Sequence, residues 1–172
     1  HPTFSWSPDS RSIAVLGHKT PKILHYGSLY LWIVPLDGGE ATCVTQNLDR
    51  CLGDYSRDAD LRAGGDDSPR WLPDGNSLRV LVNDAGTVHL WEVERETGAM
   101  RQITSGNLCV TAFSSDQQGN HLVGMVCTPD DPMDLFEIDS NTDRMRRLTH
   151  VNQELLAELE LSQQIQIEFE SD

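Results

Sequence analysis

One short turn recurs in this chain and constrains its fold more than any other feature. Residues 71–75 read Trp-Leu-Pro-Asp-Gly, and residues 6–10 read Trp-Ser-Pro-Asp-Ser. Proline presets φ and glycine accepts positive φ, so strings of this kind predict a tight reversal between two β-strands. The turn at 71–75 is followed by apolar runs at 77–82 and 88–93 and by a closing run at 100–104. The pattern predicts an antiparallel meander of four strands.

The same unit occurs three times, over residues 4–45, 69–104 and 108–149. The third strands begin near Leu29, Val88 and Met133, and the units close on Thr45, Thr104 and Thr149. Both series step by 59 residues and then by 45, so the repeats share one register. Four-stranded repeats of about 40–50 residues are typical of β-propeller blades. A β-sandwich would account for the short strands but not for the fixed register.

Residues 1–150 are therefore interpreted as an all-β partial propeller of three blades, and residues 151–172 as a different kind of segment. The 14 extra residues of the first step fall in the stretch 46–68, whose aspartates and glycines predict a long polar connection between blades. After Thr149, residues 152–159 predict a short helix with Asn152 as N-cap. The alternation of Ile165, Ile167 and Phe169 then predicts one further strand.

Composition excludes two classes of partner. The chain has 13 Lys and Arg against 27 Asp and Glu, a net charge of −14, which disfavours nucleic acid and anionic membranes. It contains no apolar run of the roughly 20 residues that a membrane span needs. The four cysteines form no C-x-x-C pair, and we interpret them as reduced thiols of a cytoplasmic protein, with a disulfide or metal site as the alternative.

No motif for catalysis or cofactor binding was found. The serine-hydrolase string G-x-S-x-G is absent, and the nearest approach, residues 75–79, lies in a blade turn and ends in arginine. The histidines lack zinc-protease spacing, although His18 and His25 are close enough in one loop to be considered as a metal pair. The acidic stretch 53–68 offers oxygen ligands for Ca²⁺ but fits no EF-hand loop, and a solvated loop is the alternative.

One cluster of basic residues stands out in this acidic chain. Arg144, Arg146 and Arg147 fall in the last strand of the third unit, just before the tail. Strand alternation places Arg144 and Arg146 on one face and Arg147 on the other. We predict a docking patch here, and solvated charge on an outer strand is the alternative.

The quoted turns, together with their Leu-Tyr and Leu-Trp strands, resemble the WD40-like propeller repeats of TolB and of prolyl-oligopeptidase-family serine peptidases. Residues 128–136, then Arg-Arg-Leu-Thr at 146–149, then Asn152 and the leucines at 155–156 resemble the last blade and linker of the acylaminoacyl-peptidase branch. Residues 47–50, Asn-Leu-Asp-Arg, are similar to that branch as well. The resemblance covers nearly the whole chain.

The resemblance implies the carboxy-terminal portion of a propeller that gates peptide access to a following α/β-hydrolase domain. Residues 165–170 would begin that domain, which supplies the catalytic Ser, Asp and His, so this chain alone is expected not to be an enzyme. The family's propellers have seven or eight blades, whereas three are found here. The expected partners are therefore the rest of the parent peptidase or a second copy, through exposed end blades. A stand-alone TolB-like or WD40-like interaction scaffold is the alternative function.

Overall fold

The computed structural model describes residues 4–20, 27–53, 66–162, 165, 167 and 169–170, and within them the fold is almost entirely β. The all-β prediction is confirmed. The strands are β1 (Phe4–Trp6), β2 (Ser12–Gly17), β3 (Tyr30–Pro35), β4 (Thr42–Cys43), β5 (Cys51–Leu52), β6 (Arg70–Trp71), β7 (Ser77–Asp84), β8 (Thr87–Glu94), β9 (Met100–Gln102), β10 (Cys109–Ser115), β11 (Leu122–Thr128), β12 (Asp131–Ile138) and β13 (Met145–Arg147), and the one helix described is α1 (Gln153–Ala157).

The strands form three four-stranded antiparallel blades. The first blade has the order β1-β2-β3-β4, the middle blade β6-β7-β8-β9, and the third blade β10-β11-β12-β13. A single parallel residue pair, Cys109 with Val88, joins the third blade to the middle one. The predicted partial propeller of three blades is confirmed.

One hydrogen bond repeats in every blade and explains the spacing of the closing threonines. In each blade the threonine hydroxyl accepts the backbone N–H of a leucine in the third strand. The three pairs are Leu31 with Thr45, Leu90 with Thr104 and Leu135 with Thr149, at 2.9, 3.0 and 2.9 Å. The equal steps counted in the sequence thus reflect one contact made three times.

Residues 46–68 were predicted to connect the first and middle blades, but part of this stretch belongs to the middle blade. Cys51 and Leu52 of β5 pair with β7 along the same edge as β6, so β5 and β6 are two halves of one strand. In the third blade the equivalent strand, β10, is continuous apart from a bulge near Thr111. The 14 extra residues are therefore an insertion inside the first strand of the middle blade. That blade begins at Cys51 rather than at residue 69, because two residues of strand are too short for their alternation to be recognised.

Two apolar cores lie between the blades. The first joins the first and middle blades and contains Ala14, Leu16, Leu31, Ile33, Leu52, Leu78, Val80, Val82 and Val93. The second joins the middle and third blades and contains Leu81, Val88, Leu90, Ile103, Leu108, Val110, Phe113, Leu122, Val126 and Ile138. Blade-on-blade packing therefore supplies the hydrophobic stabilisation.

The tail after the third blade is short and solvent-exposed. Asn152 occupies the N-cap position of α1, but its side chain makes no capping hydrogen bond, and no residue of α1 is buried. The strand predicted at 165–170 lies partly outside the described residues. Of its described positions, Ile165, Ile167 and Phe169 are exposed and belong to no strand. The assignment of residues 151–172 as a linker to a further domain stays a prediction.

Candidate functional site along the inner strands

The first strands of the three blades converge on one groove of about 830 Å³. It is lined by Phe4, Ser5, Trp6, Pro8, Arg70, Trp71, Pro73, Ser114, Ser115, Asp116 and Gln117. Ser5, Arg70 and Ser114 hold equivalent positions in the pairing with the second strands. The groove is therefore the common inner surface of the three blades.

The recurring turn places these side chains. In each blade the N–H of the residue at positive φ donates to the carbonyl three residues earlier: Ser10 to Ser7, Gly75 to Leu72 and Gly119 to Asp116, at 2.9, 2.9 and 3.0 Å. The residue just before this turn begins is Trp6, Trp71 or Ser115, so the turn fixes an aromatic or a hydroxyl at the rim of the groove. The recurring turn thus positions the side chains of the groove.

Aromatic surface dominates one end of the groove. Trp71 is half-buried, and its Nε1–H donates to the Ser5 carbonyl of the preceding blade at 3.3 Å. The Arg95 guanidinium lies 5.4 Å from the Trp71 ring centroid, a cation–π distance. Among the described residues no cation lies over the rings of Trp6 and Phe4, which are 54% and 48% exposed. This end can stack against apolar or planar groups of a ligand.

The polar side chains of the groove are three serine hydroxyls, the Gln117 amide and the charged groups of Arg70 and Asp116. Arg70 forms a salt bridge with Asp66. The half-buried Asp116 carboxylate accepts a hydrogen bond from the backbone N–H of His121 at 3.0 Å. Hydroxyls, one guanidinium and aromatic faces suit an extended peptide, whose main chain needs donors and acceptors while its side chains need apolar contact.

The described histidines and cysteines are not arranged for nucleophilic catalysis. The ring Nδ1 atoms of His18, His89 and His121 lie 3.2, 3.3 and 4.0 Å from Ser28 O, Thr104 Oγ1 and Glu137 Oε1. Burial raises the pKa of the Cys43 and Cys51 thiols, which disfavours the reactive thiolate. No disulfide joins the four cysteines, all of which lie in the described part of the chain.

Metal-binding groups and membrane-spanning helices can be assessed only for the residues that the structure describes. Within the described residues, no group of three or more His, Cys, Asp or Glu could hold a metal ion. His25, and with it the predicted His18–His25 pair, lies outside those residues, as does most of the acidic stretch 53–68. None of the helical residues that the structure describes forms a helix long and apolar enough to cross a bilayer.

The arginine cluster is divided by the structure. Arg147 pairs with Asp131 at 2.5 Å and with Asp134, and lies 5.8 Å from the Phe136 ring centroid. Arg146 points to the opposite face and pairs with Glu137 at 2.5 Å, and Arg144 is exposed. The docking role stays a prediction, and Arg147 is already committed to contacts inside the chain.

Sequence reasoning missed the carboxylate to which Arg147 is bound. Asp134 is 4% exposed and accepts hydrogen bonds from the Thr149 hydroxyl, from Arg147 and from the N–H of Val151 at 3.1 Å. These hydrogen bonds, the one from Thr149 most of all, lower the pKa of Asp134 from 3.8 to about 2. The aspartate ties the last strand to the start of the tail. The sequence contained only a weak signal for it, because β12 also contains Asp131 and Glu137.

The sequence of this chain is similar to that of a bacterial peptidase. The chain is 26% identical over 141 residues to the uncharacterized peptidase YuxL of Bacillus subtilis (strain 168), covering 82% of this chain and 21% of that protein. The chain thus spans about a fifth of its curated relative. No protein-family model matches the sequence.

Solved structures show the same fold. An acylaminoacyl peptidase from Pyrococcus horikoshii matches with a TM-score of 0.63 and 18% identity, over 88% of this chain and 20% of that one. The β-propeller domain of the Trilobed protease from Pyrococcus furiosus gives 0.59 and 20%, over 88% and 38%. TolB from Acinetobacter baumannii gives 0.56 and 16%, over 86% and 32%. The resemblance to propeller portions of these proteins is confirmed.

Proposed function

We propose that this chain is the non-catalytic propeller portion of a serine peptidase of the prolyl-oligopeptidase family, acylaminoacyl-peptidase branch. One observation carries the proposal: the match to a peptidase extends over 82% of this chain yet occupies only 21% of that protein. The remainder of such a parent has ample length for the hydrolase domain that supplies Ser, Asp and His. We also propose a cytoplasmic setting, which is compatible with four cysteines that no disulfide joins.

In this proposal the inner-strand groove screens the peptides that pass to the hydrolase domain. A groove of about 830 Å³ admits a few residues of extended chain and excludes a folded domain. Phe4 and Trp6 hold apolar side chains, while Ser114 and Ser115 present hydroxyls to the peptide backbone. Peptides are then selected by the width of the groove and by contact with its aromatic side chains rather than by charge.

Binding of short peptides to the chain at high dilution tests the screening role. Ser114 lies on β10 in the groove, and Ser162 is also an exposed serine, in the tail. Ser114→Tyr narrows the groove and should weaken peptide binding about tenfold, a loss of about 1.4 kcal/mol, measured by calorimetry. Ser162→Tyr is the matched control and should leave the affinity unchanged. Equal affinities for both variants, or no binding by the native chain, would overturn the screening role.

Two further observations test the peptidase parent. The genomic sequence that continues this chain should encode an α/β-hydrolase with a G-x-S-x-G string. The purified chain should not hydrolyse a chromogenic acyl-amino-acid substrate, because the nucleophile and its base belong to that domain. Hydrolysis by the chain alone would contradict the proposal.

The TolB match supports a second candidate, an interaction scaffold with no enzymatic parent. A scaffold needs no hydrolase sequence downstream and binds a folded protein partner rather than short peptides. A downstream sequence without G-x-S-x-G, together with peptide affinity that Ser114→Tyr leaves unaltered, would favour it.

A further inference from the structure

Two of the four cysteines lie opposite each other on neighbouring strands of the third blade. Cys109 is the first residue of β10, Cys127 is the next-to-last residue of β11, and the antiparallel register makes them direct partners. Side chains of directly opposite residues stand on the same face of a sheet, with Cβ atoms about 4.5–5.5 Å apart. The Cys127 thiol donates to the carbonyl of Cys109 at 3.6 Å. The register therefore places two thiols side by side.

The backbone spacing of these two positions suits a disulfide. A disulfide needs Cα atoms about 4.4–6.8 Å apart and Cβ atoms about 3.5–4.5 Å apart. Opposite residues of an antiparallel pair have Cα atoms about 4.5 or 5.5 Å apart, within the first range, and Cβ atoms at or slightly above the second. The register shifts between Val110 and Ala112 and, in the pairing of β11 with β12, between Val126 and Thr128. Each cysteine thus adjoins an irregular stretch of backbone, which can take up the small movement that the bond requires.

Cys109 also lies where the third blade joins the middle one. It forms the parallel pair with Val88 of β8, and its thiol donates to the Gly86 carbonyl at 3.8 Å. A disulfide with Cys127 requires the Cys109 sulfur to turn away from Gly86 by a change of its χ1 rotamer. Bond formation therefore exchanges a weak contact between two blades for a covalent link within one blade.

Small oxidants reach this pair of thiols from the ends of the strands. Both cysteines are half-buried, and Gly86, Asn107 and Pro129, which lie beside them in space or in sequence, are exposed. This access does not depend on the outer face of the third blade. Burial raises the pKa of the Cys43 and Cys51 thiols, so those two cysteines should react more slowly.

The middle blade provides a natural control for the pair. Strand register makes Cys51 the equivalent of Cys109, and Asn83 the equivalent of Cys127. The same place in the ladder thus holds two thiols in the third blade but a thiol and an amide in the middle blade. Oxidation that depends on the cross-strand pair should therefore occur in the third blade and spare Cys51.

We propose that Cys109 and Cys127 are a site of reversible oxidation, at which a low-molecular-weight disulfide such as oxidised glutathione converts the two thiols into a disulfide that joins β10 to β11. One cysteine thiolate attacks the glutathione disulfide and releases one glutathione, and the other thiolate attacks the mixed disulfide and releases the second. The two cysteine sulfurs are oxidised, the glutathione disulfide is reduced, and the two thiol protons pass to the departing glutathione thiolates. Excess reduced glutathione reverses the exchange. This site is independent of the peptidase proposal.

Mass spectrometry of the native chain after exposure to oxidised glutathione tests the site. The chain should become lighter by about two mass units, the two thiol hydrogens, and a proteolytic digest should contain the Cys109 and Cys127 peptides joined by a disulfide. Cys127→Ser should instead retain a glutathione on Cys109, because the second thiol is missing. Cys51→Ser is the matched control and should still form the disulfide, since a serine hydroxyl can accept the Leu29 N–H that Cys51 accepts.

Thermal unfolding of the native chain gives a second measurement that needs no variant. The oxidised chain should unfold at a midpoint about 5–10 °C above that of the reduced chain, because the bond restricts the unfolded chain between residues 109 and 127. Reduced glutathione should remove the increase. A native chain that keeps all four thiols, a disulfide that includes Cys43 or Cys51, or an unchanged midpoint after oxidation would overturn the proposal.

Discussion

The middle blade and the two outer blades have the same strand pattern but different burial. In β7 five consecutive residues, 78–82, are buried, whereas buried residues alternate along β2 and β11. The difference comes from neighbours, because among the described residues the middle blade is covered on both faces and each outer blade on one. In a stacked repeat, burial and its energy belong to the interface and not to the repeat itself.

We expect the largest difference in stability between the middle blade and an outer blade when equivalent leucines are replaced by alanine. Leu90→Ala in the middle blade should lower the free energy of unfolding by about 2–5 kcal/mol, because it leaves a cavity in a closed core. Leu135→Ala at the equivalent, 39% exposed position should lower it by less than about 1 kcal/mol. Urea unfolding at high dilution measures both. Similar losses for the two variants would show that the third blade's open face is covered.

Acid should affect the two regions in separate pH windows. His89 and Asp134 hold equivalent positions in the middle and third blades. Burial lowers the pKa of His89 below 6.5, so the unfolded chain takes up that proton first and stability falls as pH drops below about 6.5. The pKa of Asp134 is lowered from 3.8 to about 2, so its contribution is lost only between those values.

Urea unfolding at a series of pH values resolves the two windows. His89→Asn should flatten the stability profile between neutral pH and pH 5, and Asp134→Asn should flatten part of the fall below pH 4. The pKa values of Asp9 and Asp139 are also lowered by hydrogen bonds, so the remaining acid dependence in Asp134→Asn belongs to them and to similar carboxylates. Unchanged profiles in both variants would refute the assignment.

The smallest of these effects concerns the recurring turn. Gly75 has φ of 70° in the middle blade, whereas Ser10 has φ of 57° in the first. Gly75→Ser should cost about 1–2 kcal/mol of unfolding free energy, since a Cβ there contacts nothing closer than Pro8 Cδ at 3.8 Å and only the backbone is strained. Ser10→Gly should stabilise by about 0.5 kcal/mol. Thermal unfolding compares the two, and a stabilising Gly75→Ser would show that the turns are not equivalent.

The sequence was sufficient to predict the blades, because turn residues, strand alternation and closing threonines all repeat at one spacing. It was insufficient for β5, whose two residues carry too little alternation to mark a strand. The tail shows a second limit, since a strand forms only against a neighbour and Ile165, Ile167 and Phe169 have none among the described residues.

The site was less predictable than the fold. The groove consists of residues far apart in sequence, from Phe4 to Gln117, which only the stacking of blades brings together. The Arg147–Asp134 pair shows the same limit, because alternation assigned Arg147 to a face but could not supply the buried carboxylate opposite it. The alternation of residues along a strand predicts which of them share a face. The contacts that those residues make depend on tertiary packing.

The central claim is that equivalent residues are covered in the middle blade and open in the outer blades. Hydroxyl-radical footprinting at high dilution tests it most directly, with each rate divided by the rate in the unfolded chain. Leu81, Leu90 and Ile103 should be strongly protected, and Met125, Leu135 and Leu148 should be modified several-fold faster in the same normalised units. Equal protection of the two sets would contradict the account.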